Sequence, residues 1–335
     1  MQKDFHYYCI AVLAKAAGFN KKDSLIIAYA SQYVDNSTES EPIKIGEMFF
    51  DPVRSAHNGL KAFHWDIQKK VYFPFHFIPP KSIKKPSDSF VTKRKSDFVI
   101  RVFKKAISEN DDYLRLFRIG VALHTLADSW AHEGFSGREE GINNVENIHL
   151  FNKSKKKWKH LFFDNFILDL LPVIGHGQAG HYPDYSHLKW KYKRKKDNKT
   201  VVHDNTKEFY ESAEKIFNLL NAVEKPYLEE KVEWKEISKK IKSLFNYKTT
   251  NLSKKCDKWK KEFDHWFLDE KYDYDRKDWR QDALGIDSDV NWDEDERSDF
   301  KKRHYEMQPG FYEKPWVKFH KAALLQRHYV IENLI

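Results

Sequence analysis

His124, Asp128 and His132 stand at i, i+4 and i+8 within LRLFRIGVALHTLADSWAHEGFSG, residues 114–137. On a helix that spacing lets three side chains drift slowly along one face. The rest of the segment is apolar nearly all round. Leu114, Phe117, Val121 and Ala131 lie on one side, and Leu116, Ile119, Leu123, Leu126 and Trp130 on another. A helix of that kind is buried. Burying an ionisable group without a partner costs on the order of several kcal/mol. Three on one buried face therefore need a common partner. A divalent cation provides one, because neutral imidazoles and carboxylates are ordinary zinc ligands. The competing reading is a buried His–Asp hydrogen-bond network that holds no metal.

Other segments add ligand types. Asp4 and His6 open the string DFHYY, and Asp35 ends ASQYVD, one turn after Gln32. His57 lies in SAHN and His76 in PFHF. The Gly-rich loop GHGQAGHYPD, residues 175–184, holds His176, His181 and Asp184. Glycine permits the tight bends that let ligands converge. Together these supply seven or eight nitrogen and oxygen ligands and no thiolate. That exceeds one tetrahedral zinc and suits a two- or three-metal cluster.

The strings DFHYY, ASQYVD, SAH, PFHF, HTLADSWAHEGFSG and GHGQAGHYPD resemble an uncharacterised bacterial domain family over most of the chain, thinnest at 225–300. More distantly, their order is similar to zinc-dependent phospholipase C and to the fungal three-zinc single-strand nucleases. That resemblance implies a helical fold, two or three Zn2+ or other divalent transition-metal ions, and hydrolysis of phosphate esters. The ligands it implies are His6, Asp35, His57, His124, Asp128, His132, and His176 or His181 with Asp184. It makes Asp35 a bridging ligand or general base. Arg118 and Arg138 become candidates for steadying phosphoryl charge, and Gln32, Thr125, Ser129 and Glu133 for orienting ligands.

The sequence departs from that pattern at three places. The distant relatives use the amino group and carbonyl of a mature amino-terminal residue as ligands. Here Asp4, His6 and Lys15 interrupt what a cleaved leader would need, so this ligand is expected to be missing and Asp4 to replace it. His132 follows Asp128 by four residues, closer than in the secreted enzymes, and Asp184 follows His181 by three rather than four.

The elements that must position these residues read as follows. Helical periodicity predicts helices at 4–17, 21–35, 96–108, 111–135, 205–223, 231–246, 253–268 and 316–334. Residues 41–80, with runs IKIGEMFF and KVYFPFHF, read as short strands or an irregular excursion. Residues 136–203 read as mostly loop with a short apolar helix near 160–171, and 270–300 as acidic and irregular. The expected architecture is one mostly α-helical domain over 1–335. It carries an irregular or β-containing insert at 41–80 and a charged helical extension at 225–335.

Composition narrows the partners. The 335 residues are 33% charged and 16% aromatic, with a net charge of +9. That balance favours anionic partners, nucleic acid or phospholipid. The runs KSKKKWKH, residues 153–160, and KWKYKRKKDNK, residues 189–199, interleave lysine with Trp158, Trp190 and Tyr192. These rings could stack bases or sit at an anionic membrane surface. No apolar run reaches the roughly 18 residues of a membrane span. Two cysteines, Cys9 and Cys256, make no disulfide framework, so a cytoplasmic location is expected. No P-loop, dinucleotide fingerprint or GxSxG elbow appears. The function these residues predict is a metal-dependent phosphodiesterase of phospholipase C or nuclease type. HD-type phosphohydrolases, which also use helical His and Asp, are another metal-hydrolase reading. A metal-stabilised interaction or effector protein, or a nucleic-acid binder with a His-rich core, are the non-enzymatic ones.

Overall fold

The computed structural model describes residues 1–39, 41–57, 64–85, 89–160, 173–227, 229–285 and 305–334. Its helices are α1 (Ile10–Ala16), α2 (Lys21–Tyr33), α3 (Trp65–Ile67), α4 (Asp97–Ile107), α5 (Asp112–Ala131), α6 (Asn205–Asn221), α7 (Trp234–Phe245), α8 (Leu252–Phe263), α9 (Asp278–Leu284) and α10 (Pro315–Leu334). The predicted helices outside the undescribed segments all form, with ends displaced by a few residues. The apolar helix expected near 160–171 falls almost wholly outside the described residues.

Helix α5 is the axis of the fold. Asp111 caps its amino end by accepting from the backbone N–H groups of Tyr113 and Leu114, both at 3.0 Å. From Leu116 to Ala131 every side chain is buried, as its all-round apolar pattern requires. Helices α2, α4, α6 and α10 pack around it. Gly120 sets the α2 contact: a Cβ there would stand 2.4 Å from the Ile27 carbonyl oxygen. The lack of a side chain is what lets the two backbones approach.

Two stretches of π-helix flank this axis. Asp4–Cys9 runs directly into α1, and Gln68–His76 continues α3. The run KVYFPFHF is thus helical rather than strand-like. Pro74 sits inside it. Proline removes a backbone donor and breaks the ordinary i→i−4 ladder, and a wider turn is one way a helix absorbs such a defect.

The structure is mixed rather than all-helical. Strands β1 (Ile43–Ile45) and β2 (Met48–Phe50) form a small hairpin inside the predicted insert. Within residues 136–203, expected as loop, lies a four-stranded antiparallel sheet. Its strands are β3 (Val145–Asn152), β4 (Lys157–His160), β5 (Lys189–Arg194) and β6 (Thr200–Asp204), in the order β4-β3-β5-β6. The signal was the period-two alternation in KWKYKR, which sends Trp190 and Tyr192 inward and the lysines outward. Under this sheet a second core gathers Phe77, Phe135, Val145, Ile148, Ala179, Trp190 and Tyr192. The principal core runs from Met1 to Leu334 and includes residues of α7, α8 and α10. Helix α9 lies in the acidic stretch and ends at Gly285, whose φ of 64° makes the left-handed cap. Cys9 and Cys256 are buried and free. Among the described residues no helix is long and apolar enough to cross a membrane.

Candidate metal centre

Five elements converge on one buried point. Helix α5 supplies His124 and Asp128, and His132 closes it, donating its backbone N–H to the Asp128 carbonyl at 2.8 Å. The first π-helical stretch supplies His6 and the second His76. Asp35 follows α2, and the Gly-rich loop brings His176 and Asp184. Three groups result, each with ligand atoms within 4.8 Å of one another: His6, His124 and Asp128; Asp35, His76 and His124; His132, His176 and Asp184.

Asp128 is the hub. Its Oδ1 lies 3.1 Å from His6 Nε2, and its Oδ2 lies 3.1 Å from His76 Nδ1 and 3.2 Å from His124 Nε2. The α-amino nitrogen of Met1 sits 2.7 Å from Asp128 Oδ1 and 3.2 Å from Asp184 Oδ1, so it joins the first group to the third. Asp35 Oδ1 stands 3.6 Å from His124 Nε2 and 3.9 Å from His76 Nδ1. In the third group Asp184 reaches His132 Nε2 at 4.0 Å and His176 Nε2 at 3.9 Å.

The tautomers are fixed from outside. His124 Nδ1–H donates to the Ser31 carbonyl at 2.8 Å, and His76 Nε2–H to that of Ser55 at 2.9 Å. His132 Nδ1–H donates to the His76 carbonyl and His176 Nδ1–H to that of Gly180, both at 2.8 Å. A carbonyl only accepts, so each neutral ring turns its lone-pair nitrogen toward the carboxylates. Metal-ligating histidines are held in this way. His124 Nε2 and His76 Nδ1 then face each other at 3.2 Å, with Asp128 Oδ2 beside both. With His76 neutral, three acceptors surround one point, and either a proton on His76 Nδ1 or a metal ion relieves them. The donor set of imidazole and carboxylate, without thiolate, fits zinc or another divalent transition metal.

Burial opposes a proton on His76, but the Asp128 and Asp35 carboxylates outweigh it and raise its pKa. Burial holds the imidazolium forms of His6 and His132 off, taking their pKa values down to about 4 and about 3. Burial opposes ionisation of Asp128, but the Met1 ammonium, His132, His124 and His6 outweigh it and keep Asp128 ionised well below the usual carboxylate range. Asp184 is likewise held ionised against its burial by the Met1 ammonium and His176. Burial disfavours the Met1 ammonium, yet Asp128, Asp184 and Asp35 raise its pKa to about 11.

Of the ligands expected from sequence, His6, Asp35, His124, Asp128, His132, His176 and Asp184 come together. Asp4 does not. It is buried beside Lys255, 3.5 Å from its Nζ, and the Met1 amino group takes the place expected for it. His57 belongs to none of the three groups, and His76, from the neighbouring string, is the histidine that enters. Both strings were visible; nothing in them showed that the π-helical turn would aim His76 inward. His181 is mostly exposed and stands 3.8 Å from Asp184 at the rim. The adjacent pair His203–Asp204 is in β6, where His203 meets Glu208 at 3.2 Å, so the HD arrangement does not contribute.

The substrate candidates lie elsewhere. Arg118 is nearly buried and pairs with Glu109 at 2.7 Å, and Arg138 stacks on Phe90. Trp190 and Tyr192 are 0% and 1% exposed, so they are core rather than stacking platforms. Among the orienting candidates, Gln32 Nε2 donates to Asp35 Oδ2 at 3.4 Å. Thr125 and Ser129 bond backbone carbonyls, and Glu133 pairs with Arg94 at 2.6 Å.

No curated protein matches the chain, and no solved structure does. One family model spans residues 1–334. The chain therefore belongs to DUF6765, a family of unknown function.

Proposed function

We propose that the protein is a metal-dependent hydrolase of phosphate esters, phospholipase C- or nuclease-like in its site and helical frame. The observation that carries this reading is the set of lone-pair nitrogens and carboxylates facing one another around Asp128, opening to solvent at Asp35. His6 and Asp128 would hold one ion, Asp35, His76 and His124 a second, and His132, His176 and Asp184 a third. Bound divalent ions supply an acidified water and neutralise phosphoryl oxygens.

The chain's own groups do the rest. Asp35 is 29% exposed while Asp128 is 2%, so Asp35 is the carboxylate placed to take a proton from attacking water. Gln32 orients it. The carbonyls of Ser31, Ser55, His76 and Gly180 keep four imidazoles in register. The Met1 ammonium holds positive charge between Asp128 and Asp184 when no metal does, so metal binding releases protons. The buried free thiols Cys9 and Cys256 support a reducing, cytoplasmic setting.

The test is hydrolysis of bis(p-nitrophenyl) phosphate by the zinc-loaded chain, beside Asp35→Asn. Expected is turnover that falls about 100-fold in the variant, with the ions of the other two groups kept. Full zinc content with no turnover on this ester or on p-nitrophenyl phosphate would contradict the catalytic reading and leave a metal-stabilised scaffold.

A further inference from the structure

The sheet β4-β3-β5-β6 has one face on the second core and one turned away from it. Its register decides which side chains share the outward face. Trp190 lies opposite His203 and Leu150, and Tyr192 opposite Val201; these point inward. Their neighbours point outward, because successive side chains alternate. Lys189, Lys191 and Lys193 thus form a ladder along β5, with steps of about 7 Å. Strands β3 and β4 set four rings beside it. His149 lies opposite Lys191 and His160, and Phe151 opposite Trp158. The two imidazole centres are 4.7 Å apart, and those of Phe151 and Trp158 are 5.2 Å apart. All four rings are partly exposed.

The charge is concentrated here. Residues 145–160 and 189–204 hold twelve Lys and Arg against three Asp and Glu. The net charge of the whole chain is +9, so this sheet carries all of the excess and the rest of the sequence is balanced. Each of the three carboxylates already has a cation: Glu146 pairs with Lys193 at 3.5 Å, Asp204 with Lys189 at 3.6 Å, and Asp197 with Arg194. The face therefore stays positive with its own acids matched, and a polyanion is its complement.

Two contacts select the polyanion. Lys191 Nζ stands 4.6 Å from the centre of the Trp158 ring, and Lys189 Nζ 5.5 Å from that of Phe151. A partly exposed contact of this kind is worth about 0.5–1 kcal/mol, whereas a base stacked on an aromatic side chain is worth about 1–3 kcal/mol. A base can therefore displace the ammonium, which turns to the phosphate beside it. An anionic membrane offers no ring for this exchange and favours projecting apolar side chains. The turns at the ends of the sheet, KSKK at 153–156 and KKDNK at 195–199, carry none. We propose that the outward face of this sheet binds single-stranded nucleic acid, with bases on the rings of β3 and β4 and phosphates along the β5 lysines. This does not rest on the hydrolase reading, because it is the opposite face that packs toward the metal centre, where Phe77 stacks on His132.

The experiment is fluorescence anisotropy of a labelled oligouridylate with the full chain, with and without chelator. Expected is binding that survives chelation and weakens with NaCl at a log–log slope of about −2, the value for three phosphate contacts to a single strand. Lys191→Gln combined with Lys193→Gln should flatten that slope by about 1.4. Trp158→Leu should weaken binding about tenfold at an unchanged slope, because it removes stacking and no charge. A thermal melt shows that each variant folds, and the lysine pair carries the test if Trp158→Leu does not. Absence of binding, full affinity in folded Trp158→Leu, or an unchanged slope in the lysine variant would overturn the inference. So would tighter binding to phosphatidylglycerol vesicles than to the oligouridylate at equal phosphate, which would make the face a membrane contact.

Discussion

His76 Nδ1 and His124 Nε2 face each other across 3.2 Å, while the far nitrogen of each ring donates to a backbone carbonyl. When both rings are neutral they oppose lone pair to lone pair with Asp128 Oδ2 alongside, and the neighbouring carboxylates raise the His76 pKa. A divalent cation relieves the contact. Zinc should therefore raise the Tm of the chelator-treated protein, since a ligand at 100 times its Kd stabilises by about 2.7 kcal/mol. His124→Ala and His76→Ala should each lose most of that shift in a thermal melt. An unchanged Tm on adding zinc would contradict the point.

Acid should unfold the metal-free protein early. His6 titrates near 4, and His132 and His320 near 3, each lowered by burial below the ordinary value of 6.5. Between those values and 6.5 the unfolded chain binds more protons, so stability is whole above pH 6.5 and falls as pH drops toward 4. Each such histidine contributes a slope of about 1.4 kcal/mol per pH unit. Urea melts of chelated protein at pH 7, 6 and 5 measure it. A midpoint independent of pH over that range would sink the assignment of neutral buried rings.

Asp4 and Lys255 form an ion pair in which both side chains are 2% exposed. It ties the π-helical turn that carries His6 to α8. Lys255→Met strands the carboxylate and should cost about 3–5 kcal/mol, and Asp4→Asn combined with it should recover much of the loss. Asp4→Asn alone should keep its metal content in elemental analysis. Loss of one zinc equivalent in that folded variant would return Asp4 to the ligand set.

Gly120→Ala tests how the axis positions the centre. The new Cβ would meet the Ile27 oxygen at 2.4 Å and Ala30 Cβ at 2.6 Å. Helix α2 must move, and with it the Ser31 carbonyl that locks His124. Overpacking of this kind costs about 1–3 kcal/mol. Zinc affinity by competition with a chelating dye should fall as well, whereas a purely local defect would leave it unchanged.

Much of the centre was legible because helical spacing alone aligns His124, Asp128 and His132 on one buried face. His6, Asp35, His176 and Asp184 were picked out by short strings whose order distantly resembles that of zinc-dependent phospholipase C. What was not legible depended on tertiary geometry. Choosing His76 over His57 rests on a π-helical turn around Pro74, which the sequence presents only as a broken pattern. The Met1 amino group carries no side-chain signal. The sheet at 145–204 was hidden because β4 and β5 are lysine-rich and β3, VENIHLFN, shows no clean alternation. The alternation that buries Trp190 and Tyr192 then read as an exposed basic run.

Elemental analysis of the chain purified without chelator, beside Asp128→Asn, addresses the central claim most directly. The account predicts about two to three equivalents of zinc or another divalent transition metal, with most of it lost in a variant that still folds. Less than about a tenth of an equivalent in the wild-type chain, unchanged when zinc is added at neutral pH, would contradict it.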